Sequence, residues 1–290
     1  MQAILRKINP SIDFSYVTRV DDLPNFYNKW HFHPELELSH VTESTGMRFV
    51  GDSIAPFSAG DLILIGSNLP HVLKNDPTYF EPHSALRVGS QVVQFLPDCF
   101  GKDFLHLKEM ENIKALFERA KRGLHITGKT REKVTKLLNT LIYNEKGVGR
   151  ITVLLQILDI IAQSDEIQYL SSERFLDTYH SYESAKINEV YEFTLSHYNE
   201  KILIEDVANI ANMSVSNFCK YFKNRTRKTY IQFLTDVRIS FACHLLIENK
   251  KSIQQIAADC GFHNISNFNR SFRLLRNQSP LDYRKTFINN

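Results

Sequence analysis

Hydrophobic and polar positions along this chain follow two different periods. Over the first hundred residues, short apolar or alternating runs are separated by turn-forming pairs such as Gly51-Asp52 and Gly60-Asp61. The runs that predict strands are residues 14–20, 35–43, 47–50, 62–65, 85–88 and 92–96. Many short strands with turn signals between them are typical of a β-sandwich or a β-barrel.

After Pro97 the apolar residues recur every three to four positions, which is the period of an amphipathic helix. Three stripes follow one another: Met110, Ile113, Phe117 and Ala120, then Val134, Leu137, Leu138, Leu141 and Ile142, then Ile151, Leu154, Leu155, Leu158 and Ala162. The middle stripe is wider than packing on a barrel alone requires. We therefore expect part of this helical region to form a homodimer contact.

The polar stretch 171–184 loses this period and predicts a linker, whereas the chain from Ala185 onward has a helical pattern throughout. The sequence thus predicts a multidomain α+β protein. Its parts are a β-barrel over residues 1–103, a helical dimerisation region over 104–170, and an all-α domain over 185–290.

The last hundred residues contain an internal repeat. Phe-Cys-Lys-Tyr-Phe-Lys at 218–223 matches Phe-Asn-Arg-Ser-Phe-Arg at 268–273, and similar residues on either side recur at an offset of 49 or 50. Each copy has the pattern of a helix, a tight turn at Asn212 or Gly261, and a second helix, for which Ser214 offers an N-cap in the first copy. The pattern predicts two helix-turn-helix units.

Basic residues concentrate in this repeated region. Residues 185–290 hold 15 lysines and arginines against 9 aspartates and glutamates, a net charge of +6, whereas the rest of the chain sums to −3. Two ordinary amphipathic hairpins with solvated charged faces would also be basic outside. They would not require lysine and arginine at matched outward positions of both copies, so we interpret the region as DNA-binding.

Residues 230–248 form one uninterrupted helical pattern between the two copies. About 18 residues at about 1.5 Å each span roughly 27 Å. That length suits two recognition helices placed about one turn of double-stranded DNA apart, ~34 Å, so that both enter successive major grooves.

This segment resembles the DNA-binding domain of the AraC-type transcriptional regulators across roughly residues 185–287. In the helix between the copies, the resemblance is carried by Arg238, Ile239, Ala242, Leu245 and Leu246. In the second copy it is carried by Ile253, Ile256, Ala257, Cys260, Gly261, Phe262, Phe268, Arg270, Phe272, Ser279, Pro280, Tyr283 and Arg284. The chain departs from the family after each recognition helix, where Arg227 and Asn277 replace the usual glycine.

The resemblance implies that outward residues near the start of each recognition helix contact DNA bases. In this chain they are Ser216, Asn217, Cys219 and Lys220, then Ile265, Ser266, Asn269 and Arg270. Arg270 has the geometry to pair bidentately with guanine, Asn269 to read adenine, and Ile265 to touch only a thymine methyl group. Lys223 and Arg273 lie further round their helices and are expected to bind phosphate.

A second resemblance lies in the predicted barrel. The two motifs of the cupin barrel, which AraC-type regulators often carry as a sensor domain, are matched by His31, His33 and Glu37 and by Gly60, Gly66, Asn68, His71 and Asn75. The resemblance implies that the three histidines and Glu37 converge, because the matching residues of metal-binding cupins are the ligands. Such a set suits a divalent transition metal such as Zn, Fe, Mn or Ni.

Three interpretations of these four residues stay open: polar groups of an effector pocket, metal ligands, or structural residues. Beyond that metal, no cofactor is expected. The two resemblances together imply a ligand-responsive regulator, by family habit an activator of metabolite or carbohydrate genes. Its implied partners are promoter DNA, a small-molecule effector, RNA polymerase and a second copy of the chain. The alternatives are a metal-dependent cupin enzyme fused to a DNA-binding domain, and a DNA-binding protein with an inactive sensor.

Other functional classes lack a motif. The sequence contains no P-loop, no dinucleotide-binding glycine motif, no nucleophile elbow and no Cys-x-x-Cys pair, so we expect no catalytic residues. Its four cysteines are widely spaced, as free thiols in a reducing compartment are. The N-terminus has no leader-like apolar core, and the most apolar run, 151–162, is too short to span a bilayer. We expect a cytoplasmic protein without a membrane partner.

Overall fold

The computed structural model describes residues 4–5, 15–26, 29–173, 175, 184–226 and 228–288. Its strands are β1 (Ile4–Leu5), β2 (Tyr16–Leu23), β3 (His31–Phe32), β4 (Leu36–Glu43), β5 (Gly46–Val50), β6 (Ser53–Phe57), β7 (Leu62–Ile65), β8 (His71–Asn75), β9 (Val88–Phe95), β10 (Leu124–Ile126) and β11 (Ile167–Tyr169). They form a five-stranded sheet in the order β1-β3-β8-β5-β6 and a six-stranded sheet in the order β11-β10-β7-β4-β9-β2.

The helices are α1 (Glu111–Ala120), α2 (Gly128–Tyr143), α3 (Val148–Ala162), α4 (Ser184–His197), α5 (Ile204–Ile210), α6 (Val215–Thr226), α7 (Tyr230–Glu248), α8 (Ile253–Asp259), α9 (Ile265–Arg276) and α10 (Pro280–Ile288). Within the described residues, every helix falls short of the length and apolar character that a membrane crossing requires.

The first three helices pack on the outer face of the six-stranded sheet. Leu36 and Leu38 of β4 join Leu138 of α2 and Leu154 of α3 in one hydrophobic core. Because side chains of a strand alternate between the two faces, Glu37 of β4 points instead between the sheets. The division predicted at residue 103 therefore differs from the structure: barrel and helical region share this core, and β10 and β11 extend the sheet from within the region 104–170.

Buried polar residues hide several strands from the apolar pattern. The run predicted at 85–88 is not a strand apart from its last residue, where β9 begins, and β9 continues through residues 92–95 of the next run. Within β9, Ser90 donates to Asp21 (2.7 Å) and Gln91 donates to Asn139 (2.6 Å). Each buried polar group has a hydrogen-bond partner, so the strand continues through them. β3 and β8 escape prediction for the same reason, since both carry buried histidines.

The stretch predicted as a linker begins on the barrel. Asp52 accepts hydrogen bonds from the Ser171 hydroxyl (2.8 Å) and from the Ser172 backbone N–H (2.9 Å). Phe175 is buried in a hydrophobic cluster with barrel residues that include Val50. The linker is therefore shorter than 171–184, and residues 174 and 176–183 of it lie outside the described residues.

The two predicted helix-turn-helix units are α5–α6 and α8–α9, and α7 spans residues 230–248 as predicted. Asn212 and Gly261 both have a positive φ, +53° and +76°. In each turn the next backbone N–H, of Met213 or Phe262, donates to a carbonyl five residues earlier at 2.9 Å. This closure satisfies a carbonyl at the end of the first helix and places the second helix across it.

The two turns are not interchangeable. A Cβ at position 261 would lie 2.7 Å from the carbonyl oxygen of Tyr198. We expect Gly261→Asn to lower the free energy of unfolding by about 1–3 kcal/mol, because asparagine tolerates the left-handed φ but not this contact. Asn212→Gly is the control and should change it by less than about 1 kcal/mol. Urea titrations followed by circular dichroism measure both, and equal losses would contradict the assignment.

Candidate DNA-binding surface and histidine cluster

The recognition helices α6 and α9 each bury one face and expose the other. Phe218 and Phe222 of α6, and Phe268 and Phe272 of α9, are fully buried. The residues predicted to contact DNA are all exposed: Ser216, Asn217, Cys219, Lys220 and Lys223 on α6, and Ile265, Ser266, Asn269, Arg270 and Arg273 on α9. The fold thus gathers the ten predicted residues on two solvent-facing helix surfaces.

All charged side chains on these two helix surfaces are positive. Neither α6 nor α9 contains an aspartate or glutamate. Arg276 of α9 does not belong to the surface, because its guanidinium donates to the Ser240 hydroxyl (3.1 Å) and to Cys243 Sγ (3.2 Å) on α7. The outward lysines and arginines, together with the positive N-terminal ends of both helices, favour the phosphate backbone of a nucleic acid.

Side chains at the helix starts fix the ends of both recognition helices. The Ser214 hydroxyl accepts from the Asn217 backbone N–H (3.4 Å), as predicted from its N-cap position. In the second copy Asn264 accepts from the N–H groups of Ser266 (2.8 Å) and Asn267 (3.2 Å). The Asn267 side chain in turn accepts from Arg270 at 3.2 Å. Asn264 and Asn267 were not predicted, although asparagine before a helix is a recognisable cap signal.

Helix α7 holds the two units at a fixed separation. Its 19 residues span about 28 Å. Arg238 on this helix donates to the carbonyls of Tyr198 (2.7 Å) and Glu200 (2.8 Å), which fixes α7 to the connection before α5. Arg276 ties α9 to the same helix. The length of α7 is the one used for the prediction that both recognition helices enter successive major grooves.

His31, His33, Glu37 and His71 are buried and meet between the two sheets. His31 of β3 lies opposite His71 of β8 in the five-stranded sheet, whereas Glu37 lies on β4 of the other sheet. The strand assumed to carry the first three is therefore broken, and the chain crosses between the sheets at His33. Ligand nitrogens of the three histidines lie within 4.8 Å of one another, and His33 Nε2 is 3.3 Å from Glu37 Oε2.

Backbone carbonyls orient all three imidazoles. Nδ1 of His31, His33 and His71 lies 2.9, 3.1 and 2.8 Å, respectively, from a carbonyl oxygen two positions away along the chain. When Nδ1 donates to that carbonyl, Nε2 of His31 and of His71 is left as the accepting or ligating nitrogen, whereas Nε2 of His33 faces the Glu37 carboxylate. Histidines that bind metals are commonly oriented by hydrogen bonds of this kind.

Glu37 supplies the negative charge of the cluster. Its burial alone would raise the pKa of its carboxyl group, but the hydrogen bond from His33 and the nearby imidazoles of His71, His33 and His31 outweigh that effect and hold the pKa well below its usual range. Gln94 of β9 also donates to Glu37 at 2.5 Å. Gln94 was not predicted, because its place depends on the register of β4 against β9.

Comparisons with known proteins agree with the helical half. Residues 207–286 match a family described as a helix-turn-helix domain. The chain is 24% identical to the uncharacterized HTH-type transcriptional regulator YdeC of Bacillus subtilis, over 93% of this chain and 90% of that protein. It is 23% identical to the HTH-type transcriptional activator RhaR of Mannheimia succiniciproducens, over 89% of this chain and 87% of that one.

Solved structures resemble the chain over its last third. The DNA-binding domain of AdpA, a global transcriptional factor crystallised with a target DNA, is 29% identical, with a TM-score of 0.34. The match covers 35% of this chain and 92% of that one.

Arg270 and Lys223 should contribute differently to DNA binding. Arg270→Ala should weaken binding to a preferred sequence by about 1–3 kcal/mol and relax specificity at one base pair, because Arg270 lies near the start of α9. Lys223→Ala should weaken binding to all sequences about equally, because Lys223 lies further along α6. Titration of each variant with selected and random duplexes measures both effects. Equal losses on both duplexes for both variants would contradict these roles.

Proposed function

We propose that this chain is a transcriptional regulator of the AraC type, in which a small molecule bound at the histidine cluster controls binding to promoter DNA. The observation that carries the proposal is a buried polar cluster inside the barrel of a chain that also exposes two cationic recognition helices. Because RhaR is named an activator, we further propose activation, through RNA polymerase, of genes for a metabolite such as a carbohydrate.

The barrel interior suits a ligand with polar groups. Three imidazoles and a carboxylate provide both hydrogen-bond donors and acceptors, and all four side chains are buried. A ligand that leaves a buried polar group without a hydrogen bond binds less well, so the site would select ligands by their polar groups. The histidine cluster lies on strands that carry none of the predicted DNA-binding residues, so a ligand there would act by changing the protein conformation rather than by competing with DNA. Both relatives are named as regulators, which supports sensing over the enzyme alternative.

The same donor set also fits a divalent transition metal. The three imidazoles are oriented through Nδ1, and Glu37 stays ionised beside them. His31, His33, His71 and Glu37 would hold the ion, which would supply a Lewis-acidic point for an oxygen or nitrogen atom of the effector. Sensing with and without a metal are therefore distinct forms of the same proposal.

We also propose a homodimer. Most of the apolar stripe on α2 is consumed within the chain, because Val134, Leu138 and Leu141 are fully buried in its own core. The apolar surface left over lies where α2 meets α3: Tyr143 is 62% exposed and Val148 is 77% exposed. A two-fold contact at this end would present four recognition helices to one promoter.

Removing one histidine of the cluster should separate sensing from DNA binding. We expect His71→Ala to lose the response to the inducer while basal DNA affinity stays within about twofold, because the recognition helices lie in a different half of the chain. His40→Ala is the matched control, since His40 contacts Gln91 and lies outside the cluster. If the cluster holds a metal, wild-type protein should contain about one transition metal per chain that chelation removes. A metal-free protein whose His71→Ala variant still responds fully would refute the site.

The dimer is tested by analytical ultracentrifugation. Wild-type protein at tens of micromolar should sediment as a dimer, and Tyr143→Arg should shift it toward monomer, because a charge at the centre of an apolar contact is costly to bury. Leu281→Arg is the control, since Leu281 is an exposed leucine of α10 in the DNA-binding half. A wild-type monomer, with or without DNA, would overturn the proposal.

A further inference from the structure

The five-stranded sheet separates the histidine cluster from the DNA-binding half by a single layer of backbone. Along β3 and the residue before it, Trp30 and His31 are neighbours in sequence and point to opposite faces. His31 joins the cluster, whereas Trp30 is buried in a hydrophobic core with residues of α4, α5, α6 and α7. On β8, His71 faces the cluster and Val72 lies in that same core.

A short series of ring contacts leads from this layer to the first recognition helix. The ring centroids of Trp30 and Tyr191 of α4 lie 6.1 Å apart in an edge-on arrangement. Tyr191 contacts Phe222 of α6 edge-on at 6.2 Å and stacks on Phe233 of α7 at 4.5 Å. Phe222 is one of the two phenylalanines that anchor α6. Two ring contacts therefore separate Trp30 from the first recognition helix.

The second helix-turn-helix unit meets the barrel in a different way, through α7. Ser240 of α7 donates to the Ile54 carbonyl (3.4 Å) and accepts from Arg276 of α9 (3.1 Å), and the ring of Phe241 lies 6.3 Å from that of Phe49. The core of the second unit consists of residues of α7, α8, α9 and their connections, and no barrel residue of the described ranges belongs to it. The core of the first unit includes Trp30, Met47, Phe49 and Val72 of the barrel. The barrel also touches the shared helix α7, where His244 Nε2 lies 2.9 Å from Asp76 Oδ1. The two copies thus differ in their connection to the barrel.

We propose that Trp30 and Tyr191 transmit the state of the histidine cluster to the first helix-turn-helix unit, while the second unit, which the described contacts reach through α7, responds less to that state. The inference rests on the proposed function, since it names how a ligand at the cluster acts. When His31 moves toward a bound ligand, β3 is displaced. Trp30 moves with it, because Trp30 directly precedes His31 in the chain. A packed core cannot deform continuously, so it responds to that displacement by repacking. Repacking around Phe222 then changes the position of α6.

Double-mutant cycles test which unit is coupled. The full chain first selects a duplex from a random pool, and the affinity for that duplex is then measured for Trp30→Ala, Lys220→Ala, Arg270→Ala and the two double variants containing Trp30→Ala. We expect Trp30→Ala to change the affinity by about 5–150-fold, the usual range of coupling between sites. The effect of Trp30→Ala on DNA affinity should be much smaller when Lys220→Ala is also present, and it should remain when Arg270→Ala is present instead.

Two further variants guard against a folding artefact. Phe26→Ala removes a buried aromatic ring from a separate cluster whose members are all barrel residues, and it should leave DNA affinity within about twofold. If Trp30→Ala fails to fold, Val72→Ala deletes a smaller side chain from the same face and takes its place in the cycle. An affinity unchanged by Trp30→Ala, or changed equally in both backgrounds, would overturn the inference.

The fluorescence of the chain reports the first step directly, because Trp30 is its only tryptophan. Zinc chloride added to metal-free protein should change the emission of wild type and of His40→Ala, but not of His71→Ala. The selected duplex should also change it, because coupling between two sites is reciprocal. Emission that ignores both bound zinc and bound DNA would refute the inference alone. Failure to select any DNA sequence would refute the proposed function and the inference with it.

Discussion

The five-stranded sheet is buried on both faces, and the rest of the molecule depends on that constraint. An antiparallel sheet usually has one face in water and one on the core, so its strands alternate between polar and apolar residues. Here the polar face carries His31 and His71 and is closed off by the second sheet, whereas the apolar face carries Trp30 and Val72 and is closed off by the DNA-binding half. Polar residues inside the barrel are tolerated because Glu37, Gln94 and the backbone carbonyls satisfy them.

The helical half could be predicted in detail because its signals are local. Residues 230–248 form one helix as expected, and the turns at Asn212 and Gly261 fall where the repeat places them. Both rest on spacings of a few residues that a single sequence contains. Arg227, where the chain departs from the family, lies outside the described residues, whereas Asn277 adopts the left-handed conformation that a helix end requires.

The barrel could be predicted only in outline, because its strands depend on partners far away in sequence. The sequences of β3 and β8 lack an apolar strand pattern, and the two strands are recognised only from the pairing of His31 with His71 in the structure. The stripe on α2 looked too wide for one partner, but the outer face of the six-stranded sheet and α3 bury most of it. Periodicity shows that a face is apolar, not how many elements cover it. The pairing of Gln94 with Glu37 likewise depends on how β4 and β9 align, which no local pattern of the sequence indicates.

Among the described residues, the series of aromatic contacts from the barrel leads to the first recognition helix and not to the second, and this difference bears on how such a chain is regulated. Cationic residues are distributed over both helices, so under the proposed coupling a shift of α6 would move Lys220 and Lys223 while Arg270 and Arg273 keep their places. Phosphate contacts supply most of the non-specific affinity, and half of them persist. Under the proposed coupling, the first recognition helix would therefore change which sequences the chain prefers more than whether it binds DNA at all.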